Sequence, residues 1–150
     1  MMKRTALYGI LGGIFGTAGW LLLYLTDLRP LGWMVPSVAL GVLSGGRGLG
    51  AAVGGGTMFL GLFIGRLVHY PMIAWPLLGA ALGLWTSARP KNGAIGFVVG
   101  LLSVHLLPLF TMVLLPLLGF PTTFDYDVEG AALVLGGVAL GAMIGVMRRL

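Results

Sequence analysis

The chain reads as an all-α polytopic membrane protein, six transmembrane helices in a compact glycine-rich bundle. Three observations carry that expectation. Hydrophobic residues make up 58% of the sequence and charged residues only 9%, where a soluble domain averages about a quarter charged. The few charges fall singly or in pairs between apolar runs. Twenty-seven glycines recur at four-residue spacing within those runs, placing small residues on one side of a helix where another backbone can approach. No polar linker or low-complexity tract divides the 150 residues, so a single integral membrane domain is expected.

The first span, 5–25, follows Lys3 and Arg4 and at about 1.5 Å per residue reaches about 31 Å, the thickness of a hydrocarbon core. It exceeds a signal-peptide core and no A-x-A site follows it, so it is expected to stay as an anchor. Trp20 and Tyr24 approach its far interface. Span 2, 31–46, and span 4, 71–87, are short, and each carries a proline: Pro36, read as a first-turn residue, and Pro76, a few residues inside a span that Pro71 opens. Span 3, 48–69, opens after Arg47; span 5, 92–120, is the longest, and Pro108 and Pro116 predict a kink or break in it. The loop PTTFDYDVEG leads to span 6, 128–147.

Charge supports this count. With both termini cytoplasmic, Lys3, Arg4, Arg47, Arg89, Lys91, Arg148 and Arg149 fall inside, and only Arg29 and Arg66 outside, as the positive-inside rule requires. All four acids, Asp27, Asp125, Asp127 and Glu129, fall on the outer side. The expected location is a plasma membrane, a prokaryotic inner membrane.

The densest glycine stretch, 41–65, holds ten of the 27. It reads as two helices meeting at a tight basic turn, with Gly46, Gly50, Gly54, Gly61 and Gly65 forming a packing seam; Gly137, Gly141 and Gly145 repeat the spacing in span 6. A phosphate-loop reading fails because no G-x-x-x-x-G-K-[ST] occurs. A weak internal repeat links the hairpin beginning at Val35 with the one beginning at Trp75, and the termini supply a third, circularly permuted hairpin. The competing explanation is that glycine-rich membrane segments all look alike.

Few side chains can carry chemistry. His105 falls deep in span 5, where an imidazole relays a proton, binds a solute, ligates a haem or pigment, or simply bonds a carbonyl or Ser103. An outer group comprises Asp27, Arg29, Arg66, His69, Tyr70, Asp125, Tyr126, Asp127 and Glu129; its acids would attract a cation or an amine, and the bland alternative is a solvated loop with a snorkelling arginine. Three carboxylates in D-Y-D-V-E would share a side only in an extended loop, so no metal site is expected. No catalytic motif is present, and no cofactor is predicted. Without cysteine, thiolate chemistry is excluded. The scattered basic residues orient the chain rather than bind nucleic acid.

The compact plan with both ends inside, an acidic outward mouth and a small-residue face at Gly9, Gly13 and Gly16 resembles the substrate-binding membrane subunits of energy-coupling-factor transporters. That resemblance implies solute capture and a docked partner subunit. The leading expectation is a small transport component with its site between spans 2, 4 and 5, short proline-bearing spans in matching positions being the pointer. The alternative is a non-catalytic accessory subunit of a larger membrane assembly, its contacts being lipid and other membrane subunits or copies of itself.

Overall fold

A computed structural model describes residues 2–119 and 124–148. Those residues form six α-helices and no strand: α1 (Met2–Thr26), α2 (Arg29–Ser44), α3 (Arg47–Leu67), α4 (Ala74–Ser87), α5 (Pro90–Leu117) and α6 (Phe124–Met147), with a 3₁₀ turn at Pro71–Ile73 leading into α4. Consecutive helices are neighbours, and α6 closes the ring against α1. Helices α2, α4 and α6 also touch at the centre, which leaves α1, α3 and α5 outside.

What joins the helices is backbone, not side chain. Gly41 and Gly50, Gly79 and Gly96, and Gly137 and Gly12 form reciprocal pairs in which each glycine faces the other's carbonyl oxygen so closely that a Cβ would overlap it. One such pair lies in each of α2–α3, α4–α5 and α6–α1, and a fourth, Gly19 with Gly32, joins α1 to α2. The seams continue in register, with Gly54 on the Ser37 carbonyl, Gly83 on that of Asn92, Gly100 on that of Trp75, and Gly141 on that of Tyr8. Gly145 meets Thr5 and Arg4. Interior hydroxyls bond within their own helices: Ser37 Oγ to the Trp33 carbonyl at 2.7 Å, and Ser44 Oγ to that of Gly41 at 2.6 Å. Van der Waals contact therefore does the joining.

The five glycines of the α2–α3 stretch divide their work. Gly50 and Gly54 face α2, whereas Gly61 meets Ala74 and Gly65 meets Pro71. One face of α3 thus crosses from α2 to α4, so α3 leans away from α2 as it rises. Gly46 packs nothing in this way; at φ 79° it is the left-handed N-cap of α3, beneath Trp85, whose indole donates to the Gly45 carbonyl at 2.9 Å.

The centre is filled. Leu40, Leu78, Leu82, Leu133, Leu140 and Ile144 are fully buried, as is Trp75, which lies over Gly136 and tilts against Trp33. The outside is apolar too: Ile10, Ile14, Leu60, Phe63, Val98 and Leu102 are among many large side chains left exposed.

Several expectations change. Among the described residues, three helical segments rather than six, Lys3–Thr26, Arg47–Leu67 and Glu129–Met147, are long and apolar enough to cross a membrane. This is compatible with a membrane location. Helices α2 and α4, at 16 and 14 residues, reach about 24 and 21 Å, short of the roughly 30 Å core. Pro36 is not a first-turn residue. Pro30 occupies that position, where its fixed φ suits a helix start; Pro36 lies inside α2, and its ring packs on Gly19 beside the Gly32 carbonyl. Helix α5 runs unbroken through Pro108 and Pro116. Helix α6 begins at Phe124, four residues early, consistent with acids being favoured in a first helical turn. Positions 125, 127 and 129 are therefore helical, and the alternation of an extended loop is gone. Residue 120, the expected end of span 5, and Arg149 lie outside the described residues.

Two changes test this account. Gly54→Leu should cost about 3 kcal/mol by driving α2 from α3, while Gly56→Leu, open to space, should stay within about 0.5 kcal/mol; thermal unfolding in detergent compares them. Ala88 caps α4 at φ 52°, so Ala88→Gly should stabilise by about 0.5 to 1 kcal/mol in the same measurement.

Candidate functional site

Antiparallel packing sorts the charges by end. Lys3, Arg4, Arg47, Arg89, Lys91 and Arg148 share the end that carries the α2–α3 and α4–α5 turns. Arg148 ties that end together, donating to the Tyr8 hydroxyl at 2.9 Å and to the Leu43 carbonyl at 3.0 Å. A guanidinium also complements the negative end of α2 there. Asp27, Arg29, Arg66 and Glu129 lie at the opposite end.

At that opposite end, the lean of α3 opens a groove of about 530 Å³. Its polar lining is Arg29, Arg66, His69 and Glu129; its apolar lining includes Trp33, Phe59, Leu62, Phe63 and Met72. Arg29 Nη1 lies 3.5 Å from Glu129 Oε1 and spans from the first turn of α2 to α6. Glu129 is only 13% exposed, so this carboxylate is held in place by a cation across the groove rather than solvated. The Arg66 side chain, by contrast, is exposed, and its guanidinium makes no hydrogen bond or ion pair among the described residues. Trp33 is 3% exposed, and its indole N–H has no acceptor among the described residues. A buried donor left without a partner costs about 1 to 3 kcal/mol. His69, at φ 57° in the turn after α3, completes the rim.

His105 lies elsewhere. Its Nε2 meets the Tyr70 hydroxyl, and its Nδ1 lies 2.7 Å from the Leu101 carbonyl. A carbonyl only accepts, so Nδ1 carries the proton and Nε2 of the neutral ring accepts from Tyr70. The two rings lie 5.8 Å apart. His105 is thus level with the turn before α4, not buried at mid-bundle, because α5 extends well past the start of its shorter partner. Both nitrogens are engaged, and an axial bond to a haem or pigment would require Tyr70 to leave. Ser103 Oγ bonds the Val99 carbonyl at 2.7 Å within its own helix and joins neither group.

The groove therefore gathers Arg66, His69 and Glu129, while Tyr70 and His105 form a separate pair and Ser103 stands apart. The side chains of Asp125 and Asp127 lie outside the described residues. Helix α5 contributes nothing to the groove, which lies among α2, α3, the 3₁₀ turn and α6 rather than among spans 2, 4 and 5. Arg29, expected in the outer group, lines it as well, and so does Trp33, which the sequence did not single out. Trp33 sits four residues after Arg29 on one face of a proline-started helix, and that was its only signal. Gly9, Gly13 and Gly16, the face offered for a partner, are covered by Val138, Ala142 and Leu133 of α6. No protein-family model, curated protein or solved structure matches the chain.

Tyr70→Phe should lower stability by about 1 kcal/mol through loss of its bond to His105. Ser103→Ala, which removes only an intrahelical bond, should change it by less than about 0.5 kcal/mol; chemical denaturation in detergent reads both.

Proposed function

We propose that the protein is a small membrane-embedded capture component, a transport-type subunit that binds a ligand in the groove at the ends of α2, α3 and α6. The observation that carries the reading is the groove itself: an ion pair and an unengaged guanidinium gathered over an apolar floor. A bilayer setting is supported by the exposed apolar exterior, which a water-facing surface of this extent does not tolerate. In this reading all six helices are embedded, the short α2 and α4 being held at the centre by their longer neighbours. The positive-inside rule then places the Arg47, Arg89 and Arg148 end in the cytoplasm, with both termini, and the groove outside.

The filled centre favours capture over conduction by the chain alone. Ser37, Ser44 and Ser103 are buried but bond their own helices, leaving no polar path past Leu40, Leu78 and Leu140 among the described residues. The same packing supports a second reading, an accessory subunit whose rigid bundle supports other membrane proteins.

Single cysteines in this cysteine-free chain test the orientation. A membrane-impermeant maleimide should label Val68→Cys on intact cells and Arg89→Cys only after permeabilisation; labelling of both from one side would overturn it. Native mass spectrometry after mild detergent extraction tests the capture. A small molecule should remain on wild-type protein and on Val38→Trp, which lies outside the groove, and be lost from Leu62→Trp, which fills it. Equal retention by Leu62→Trp rules out the groove, and no bound molecule on any variant favours the accessory reading.

A further inference from the structure

From the chemistry of the groove we infer the class of its ligand: an anionic amphiphile, with a phosphate or carboxylate head at Arg66 and an apolar tail along α3. This rests on the groove being the ligand site. The charge balance comes first. Among the described residues lining the groove, Arg29 and Arg66 face one carboxylate, Glu129, and Arg29 is the one beside it at 3.5 Å. Arg66 therefore presents an uncompensated guanidinium, with donors arranged to grip a planar or tetrahedral anion.

The remaining lining specifies a tail. Phe59 and Phe63, four residues apart on α3, are exposed and line the groove together with half-buried Leu62. From Arg66 back to Phe59 is seven residues, about 10 Å of apolar wall along the helix. The wall opens sideways, since the side chains that form it are also part of the bundle's exterior. A small hydrophilic anion would leave this wall uncovered, whereas a lipid-like ligand enters from the bilayer with its head kept at the interface, where arginine meets anionic head groups.

The test uses the full chain in detergent micelles, titrated with dioctanoyl phosphatidylglycerol, dioctanoyl phosphatidylcholine, a dioctanoyl trimethylammonium lipid or inorganic phosphate, with bound adducts counted by native mass spectrometry. Phosphatidylglycerol should bind about tenfold more tightly than phosphatidylcholine, and inorganic phosphate should not bind at millimolar concentration. Arg66→Gln should weaken phosphatidylglycerol about fivefold, the effect of about 1 kcal/mol for one interfacial arginine. Arg89→Gln, the same charge change at the opposite end, should leave it unchanged. Equal binding of the two phospholipids, equal losses in the two variants, tighter binding of the cationic lipid, or phosphate binding without a tail would each overturn the assignment. Leu62→Trp separates the two claims. If it abolishes binding of every lipid while head-group preference is absent, the groove stands as the site and the ligand class falls; if phosphatidylglycerol binding survives it unchanged, the capture site falls as well.

Discussion

Direct contact between backbones at glycine is the constraint on which the rest of this molecule depends. Helices with an apolar exterior gain little from hiding more apolar surface against one another, so their association rests on how closely they can approach. Here the approach is as close as a polypeptide permits. Gly41 with Gly50, Gly79 with Gly96, and Gly137 with Gly12 each set a carbonyl oxygen against a bare Cα, a geometry that admits weak Cα–H···O bonds. Each contact locks two helices into a hairpin-like unit, and α6 with α1 forms such a unit although the two lie at opposite ends of the chain. The bulk that glycine removes from the seams reappears at the centre as Leu40, Leu78, Leu82 and Leu140, and on the outside as exposed aliphatic and aromatic side chains.

The groove follows from the same constraint. Glycines 50, 54, 61 and 65 occupy nearly one face of α3, but the first two rest on α2 and the last two on Ala74 and Pro71. A straight helix can satisfy both neighbours only by crossing from one to the other. The gap this leaves beside α2 is bordered by Leu62, Phe59 and Trp33, and the charged ends of α2, α3 and α6 converge at its mouth. The candidate site thus lies where the seam has passed from α2 to α4, with Gly65 still in its lining beside bulky and charged residues.

Much of this was legible in the sequence, and the parts that were not share a cause. Glycine spacing and apolar runs marked the helices, and the short proline-bearing segments marked α2 and α4. Partner choice was illegible, since Gly54 and Gly61 look alike in one dimension yet serve different neighbours. Depth was illegible for the same reason. His105 was placed by counting from the start of α5, but α4 is so short that this position lies against Tyr70 in the turn before it. Proline misled where two were available: Pro30 and Pro36 both suit a first turn, and only packing of Pro36 on Gly19 shows which is internal. Trp33, an indole in an apolar run, reads as core, and it is core; what the sequence hides is that its N–H lacks an acceptor.

Rigid seams also limit how such a bundle can move. Within each unit, separating the helices would break reciprocal backbone contacts along several turns. Between units the packing is looser: a cavity lined by Phe15, Leu22, Met34 and Val38 lies between α1 and α2, and another, lined by Asn92, Ile95, Val99, Ala139 and Met143, lies between α5 and α6. Any transition that passes a ligand beyond the groove therefore has to turn one unit against another at these junctions, because the leucine-filled centre offers no route while the units stay together. Motion of that kind keeps the three reciprocal pairs inside the units but has to loosen the glycine contacts between them, Gly19 with Gly32, Gly61 with Ala74 and Gly65 with Pro71. The arrangement that makes the bundle rigid locally is thus also what would allow it to shift as three bodies, with the groove bordered by more than one of them.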